Sequence, residues 1–492
     1  MNLKTRTSFL SFFIAISLIG RADTLYFIAT PDQNHDVNFD FFSPNNWYVP
    51  NGMGGYDSAP HNPTSEDDVI LVTSANAAAN SVVFVSMTLQ SGVHVSGGGF
   101  SVGTLVTTSG NSFTSSSVEV RNAWHLSNGC SMSMGTITVD SGAFLEMEPG
   151  SASLTLDTST LYVVGQIVMS AGSLINFANG TNQFWIRPNA VVSGSGSTAI
   201  YVNPNSGNSI SFYFDGTLES DGGLMNISLG NGAWLNTQGL AKLRTSVPNG
   251  IIEIHGAMAV PAGATNQVVG PGVTRLYADS TIATVNGLLQ VGAVDPDTMV
   301  LDPGTLEMDR VLTGSGLTQT ISSNGMPSTI IWGNGTVSMP VNIDAWGRLL
   351  ITNASPKVLS ACTLNNAGTA EWDTDGGDLH LNNGAVFNNL SGATFDARNN
   401  AALYGGVGAI GKFVNAGEFR KSAGSGSTAV VQENPPAQGA IFNNTGTVNA
   451  RTGRIVLMGG TNAGAFNMDA GTEIRISAFT NHQVAGSSFS GP

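Results

Sequence analysis

Charge is scarce in this chain of 492 residues: Asp, Glu, Lys and Arg together supply 10% of it, against about 25% in ordinary globular domains. A surface kept in solution by dense ion pairs is thereby excluded, and small polar residues must do that work. Basic residues are the scarcer sign, 18 against 33 acidic, which leaves a net charge of −15. Such a chain repels phosphate backbones and anionic lipid, so nucleic acid is excluded as an expected partner. Cysteine is nearly absent, with only Cys130 and Cys362, and that excludes a small fold stapled by disulfides. After the first 22 residues no apolar run approaches the roughly 18 residues that a membrane helix requires. Helical periodicity is missing too: no window between 361 and 477 offers the roughly ten patterned residues that a helical or leucine-rich repeat needs.

What is present is a repeat. Between Ala361 and Ser477 the text LNNAGTAEWD, FNNLSGATFDA, FVNAGEFRKS, FNNTGTVNAR and FNMDAGTEIRI sets an apolar anchor, an Asn, a Gly and an alternating run in the same order five times. The anchors Leu364, Phe387, Phe413, Phe442 and Phe466 follow one another at steps of 23, 26, 29 and 24 residues. A period of this size signals a solenoid, because one unit cannot bury its apolar face alone and must stack on its neighbours. After Gly368, Gly392, Gly417, Gly446 and Gly471 apolar residues fall at alternate positions, as in Ala370 and Trp372 or Val448 and Ala450. Period two means strand. Gly supplies positive φ at the turns, Asn tolerates left-handed angles at a corner, and Asn366, Asn389, Asn415 and Asn444 could bond along the stack as a ladder. The expectation is an all-β, right-handed parallel β-helix (β-solenoid) of roughly 18 coils with an N-terminal cap. In such a stack Cys130 and Cys362 stand roughly ten coils apart, nearly 50 Å, so both are expected as unpaired, mostly buried thiols.

Along the chain, Lys4 and Arg6 precede the apolar run Phe9 to Ile19 and small residues at Gly20 and Ala22, so residues 1–22 read as a secretory signal peptide. Residues 23–72 are aromatic and proline-punctuated, with Phe39, Phe41, Phe42, Trp47, Tyr48 and Pro50. An open solenoid exposes unpaired backbone at its first coil, so this stretch is assigned to the cap. A module using Trp47 and Tyr48 on sugars is the alternative. Residues 73–356 repeat the idiom more loosely, as SGAFLEM from Ser141, AGSLINF from Ala171 and PGTLEMD from Pro303. Residues 357–492 are the regular coils, and their idiom, unbroken at FSGP, is expected to continue beyond Pro492.

Carboxylates that could carry chemistry are few. The densest cluster is Asp373, Asp375 and Asp378 in WDTDGGD, oxygen ligands at short spacing around two glycines. An EF-hand loop would place its third ligand at 377 and a Glu at 384, and both positions are Gly. The cluster is therefore either a solvated turn or a calcium site closed by a neighbouring coil. Asp295, Asp297 and Asp302 form a similar group. A polygalacturonase-like site needs paired carboxylates, a His and a basic cluster; here His255 stands alone beside Glu253 on one strand face. A pectate-lyase-like site needs several calcium-binding Asp and a basic residue, and only Arg187-Pro188 hints at it, with Ala190 where a second Arg is wanted. Trp124, Trp234 and Trp372 lie in strand-like contexts and are expected to fill the core.

The leader, the opening NNW followed by PTSEDDVILV, and coils such as FNNTGTVNARTGRIVLMGG then GAFNMDAGTEIRI resemble large bacterial secreted β-helix proteins of the autotransporter-passenger and adhesin type. The resemblance implies a secreted or cell-surface structural or adhesive protein with no catalytic residues and no cofactor, whose partners are surface glycans or neighbouring cell surfaces. The chain departs from autotransporters in ending without the exporting barrel. The alternative is a polysaccharide lyase or hydrolase on the same scaffold, or a carbohydrate-binding module.

Overall fold

A computed structural model describes residues 24–27, 47–50, 56–59, 68–71, 75–76 and 81–96, and residues 99–492 apart from 109, 115–116, 151, 203–208, 231–232, 278–281, 297 and 432–439. The leader assigned to residues 1–22 lies outside the described residues, as does Asp297. Every regular element among the described residues is a β-strand, and nearly all of them pair in parallel.

One coil shows the plan. Thr160–Val163 lies on a first face, Gln166–Met169 on a second and Leu174–Phe177 on a third, and the chain then returns to the first face with Thr181–Ile186, where Leu161 pairs with Phe184. Alternate side chains point inward, so Leu161 and Val163 are buried while Thr160 and Tyr162 face out. This plan repeats from Ser81–Leu89 to Glu473–Gln483 on the first face, giving the roughly 18 coils of a parallel β-solenoid. Turns between the second and third faces close tightly, as where Ser173 N donates to Ser170 O at 3.0 Å. Toward both ends of the stack the corner between the first two faces opens out. There Gly99–Thr107, Ser117–Leu126, Arg454–Asn462 and Glu473–Gln483 run across it as single long strands, bending at register shifts near Val120 and Met458.

The first coil is closed by strands of opposite direction. Thr24–Phe27 lies parallel to Asp68–Leu71, but its other edge takes Trp47–Pro50 antiparallel, and that strand in turn pairs antiparallel with Tyr56–Ser58. Trp47 is fully buried in the core, so it plugs the end of the stack and has no face to offer a sugar.

Inside the regular coils the anchors meet as the period requires. Leu364, Phe387, Phe413 and Phe442 are register partners on the second face, and the phenyl rings stack at 5.0 and 5.6 Å. Phe395 and Phe419 of the third face meet them edge-on, 5.0 Å from Phe395 to Phe413 and 5.4 Å from Phe419 to Phe442. Two positions along each anchor strand, the Asn ladder forms: Asn366 donates to Asn389, Asn389 to Asn415 and Asn415 to Asn444, each at 2.8 Å. The second amide proton goes to a third-face carbonyl, as from Asn389 to Glu418 O at 2.9 Å. These Asn are fully buried strand residues, not left-handed corners.

Two expectations are corrected here. Phe466 is not the fifth member of the second-face column: it pairs with Val448 on the third face and stacks on Phe489 at 4.8 Å. The long strand Arg454–Asn462 uses up both first-face and second-face positions, so the fifth unit starts one face later. The glycines of the repeat also serve two purposes. Gly392 sits at φ +84 in open space, whereas Gly417 and Gly446 lack positive φ and are needed because a Cβ would fall 2.3 Å from Ala393 O and 2.1 Å from Gly417 O. Both cysteines are free. Burial pushes the Cys130 thiol up to about 12 and the Cys362 thiol up to about 11, so neither is poised as a nucleophile.

Candidate functional site

The turn carrying Asp373, Asp375 and Asp378 sends its carboxylates to separate partners. Asp373 accepts from Thr374 N at 2.8 Å, Asp375 from Thr352 Oγ1 at 3.1 Å and Asp378 from Ala402 N at 2.8 Å. Trp372 closes the turn by donating its indole N–H to Gly377 O at 3.0 Å. Among the described residues no group of three or more His, Cys, Asp or Glu is placed to hold a metal ion.

His255 does not stand alone. Glu253 places one oxygen 2.6 Å from His255 Nε2 and the other 3.0 Å from Arg275 Nη1, and Arg275 Nε donates to Glu307 at 2.8 Å one coil further on. The outer side of the third face continues this way. Arg348 and Arg398 share Glu371 at 2.8 and 3.4 Å, Arg420 meets Asp396 at 2.9 Å, and Arg451 meets Glu418 at 3.1 Å. Sequence reading missed these pairs because the partners lie one coil apart in the chain and touch only when the coils stack. The row ties successive coils together from outside.

The outer side of the first face carries something different. Tyr162, Trp185 and Tyr213 are register partners on three successive strands. Trp185 stacks on Tyr213 with ring centroids 3.7 Å apart, and Tyr162 lies 6.4 Å from Trp185. Trp185 donates its N–H to Gln183 at 3.1 Å, and the Arg187 guanidinium sits 5.6 Å from the Tyr162 ring centre. Trp234, on the next strand, also points outward and is 38% exposed. The expectation that Trp124, Trp234 and Trp372 all fill the core thus holds for Trp124 and Trp372, which are fully buried, and fails for Trp234. Trp234 opens its four-residue strand at a position that faces outward, as Phe144 and Leu174 do in theirs. The row was legible only by laying LYV, FWI and FYF over one another at steps that vary from coil to coil.

Around the corner from this row lies a groove. Its first part, about 350 Å³, is lined by Pro188, Asn189, Asp215, Thr217, Leu240 and Lys242. A second part, about 120 Å³, adds Arg244, Gln267, Asp295 and Asp302. Its cover is a hairpin in which Ala293–Val294 pairs antiparallel with Leu301–Asp302, inserted where other coils make a short turn. The Asp295 and Asp302 group singled out in the sequence is thus part of this cleft. Burial pushes the Asp302 carboxyl above the usual range, against the lowering pull of Arg244, the Gly270 backbone and Lys242.

No known protein family's sequence profile matches the chain, and no curated protein matches it. Among solved structures, the crystal structure of a TibC-catalysed hyper-glycosylated TibA fragment overlaps 76% of this chain and 98% of its own, at 17% identity and a TM-score of 0.29. The architecture rests on the chain's own strand pairings.

Proposed function

We propose that this chain is a secreted or surface-displayed structural and adhesive solenoid that holds glycans on the outer side of its first face and performs no catalysis of its own. The observation that carries this reading is the aromatic row of Tyr162, Trp185 and Tyr213, with the exposed Trp234 on the next strand two positions out of that register, opposite Ser211. Trp185 and Tyr213 cover one face of each other, so what they offer the C–H groups of a pyranose is apolar edge held on a rigid sheet at little entropic cost, with the exposed Trp234 ring beside it. A stack of coils holds such a row at fixed spacing, and a rod presents it away from the surface that bears it. The third-face carboxylates support the non-catalytic half of the reading, because the Glu253 oxygens are engaged by His255 and Arg275.

The test is binding of the purified protein to immobilised polysaccharides, with turnover of each polysaccharide assayed in the presence of calcium. Trp185→Ala and Tyr213→Ala together should weaken retention at least tenfold while leaving the melting temperature within a few degrees. Retention unchanged by both substitutions would overturn the glycan-holding reading. Turnover abolished by His255→Ala or Asp373→Ala would replace it with an enzyme.

A further inference from the structure

We propose that the cleft beneath the Ala293–Asp302 hairpin binds the carboxylate of an acidic saccharide through Lys242 and Arg244. The strand Leu240–Thr245 turns Ala241, Leu243 and Thr245 inward, so Leu240, Lys242 and Arg244 project together from the second face into the groove. In a chain this poor in basic residues, the other outward arginines of the stack mostly meet a carboxylate, as Arg275, Arg348, Arg398, Arg420, Arg451 and Arg454 do. Lys242 and Arg244 are different: neither has a carboxylate oxygen within 4.0 Å nor a hydrogen-bond acceptor among the described residues.

Three of the acids around them already accept a hydrogen bond within the fold: Asp215 from Leu240 N at 3.0 Å, Asp295 from Thr298 N at 3.2 Å, and Glu219, the register partner of Arg244, from the Ser246 hydroxyl. Asp302 shares the cleft and feels the charge of both cations without an ion pair as close as 4.0 Å. Beside the Asp302 carboxylate, the cleft holds unused donors in an ammonium, a guanidinium fork and the Gln267 carboxamide. The complement of an unpaired fork beside an ammonium is a planar carboxylate, which a guanidinium takes with two parallel bonds. The hairpin covers the cleft from one side, and the larger part of the groove leads from it past Leu240 and Asp215 to Pro188 and Asn189 at the corner of the first face. A uronic acid seated at Lys242 and Arg244 would therefore lie within a chain's reach of the aromatic row. The inference deepens the glycan-holding reading but does not need the aromatic row to be correct.

Titration calorimetry of the full chain with hexagalacturonate, and with maltohexaose as the neutral control, tests it. Hexagalacturonate should bind, and more weakly as salt is raised. Arg244→Gln with Lys242→Gln should cost at least tenfold in affinity and flatten that salt dependence, while Arg244→Lys, which keeps the charge and loses the fork, should fall between. Equal affinity for maltohexaose, or hexagalacturonate binding untouched by the double substitution at an unchanged melting temperature, would overturn the proposal. Trp185→Ala separates the two readings. Hexagalacturonate binding that survives it but not Arg244→Gln supports the cleft alone, and binding that survives Arg244→Gln but not Trp185→Ala supports the aromatic row and overturns the cleft.

Discussion

The side chains that hold this solenoid are those that meet their own kind one coil away. Phe413 is sandwiched between Phe387 at 5.0 Å and Phe442 at 5.6 Å, with Phe395 and Phe419 edge-on. Phe413→Ala should cost about 3–5 kcal/mol in chemical denaturation, because flanking rings fixed in two coils cannot collapse into the space. Arg451→Ala, at a half-exposed ion pair, should cost well under about 1 kcal/mol. Similar losses for the two would show that the phenyl column is not the core. Two buried cations give the stability a pH dependence. The Lys421 ammonium is enclosed by Ala423 O at 2.9 Å, Thr428 Oγ1 at 3.1 Å and Asn400 Oδ1 at 3.2 Å, and burial pushes it from 10.5 down to about 8. Burial likewise pushes Lys357 to about 8, against the pull of Asp375 and Asp309. Below pH 8 both folded and unfolded chains carry these protons and the cost of burying charge is complete. Between about 8 and 10.5 the unfolded chain keeps protons that the folded chain has released, so stability should rise with pH across that window. A denaturation midpoint that falls between about pH 7.5 and 9.5 would contradict this, and Lys421→Met should reduce the rise.

At the scale of elements, the faces divide the labour. The inner rows carry apolar side chains and the Asn ladder, the outer third face carries ion pairs, and the outer first and second faces carry the aromatic row and the groove. Among the described residues the strands Ala293–Val294 and Leu301–Asp302 pair with each other, outside the parallel sheets. Replacing residues 293–302 by a short turn of the kind seen at Ser170–Ser173 should therefore leave the melting temperature within a few degrees, since coil stacking around it is carried by Leu289 against Thr318 and by Leu276 against Met308. A large fall in melting temperature would mean that the hairpin is part of the fold rather than a cover for the cleft.

For the whole molecule, stacking by nearest neighbours fixes the shape. Roughly 18 coils at about 4.8 Å give a rod near 85 Å long. Small-angle scattering should report an elongated particle, and circular dichroism a strand spectrum with little helix. A near-spherical particle, or more than about a quarter helix, is incompatible with the stack.

The sequence alone determined the architecture, because the rules that make a coil are local. A period of 23 to 29 residues between Leu364 and Phe442, strict alternation after each turn and the absence of helical patterning leave a β-solenoid as the way to bury those rows, and the ladder through Asn366, Asn389, Asn415 and Asn444 follows from the same spacing. Only the tertiary structure decided which coil lies against which where the spacing is irregular. A long strand moved Phe466 to another face, and the alternation set Trp234 outward. Stacking gave His255 and Glu253 their arginine and set Lys242 and Arg244 in one cleft with Asp295 and Asp302. The physical reason is that position across coils depends on the length of every turn between them, and one added residue moves a side chain to the opposite side of its strand.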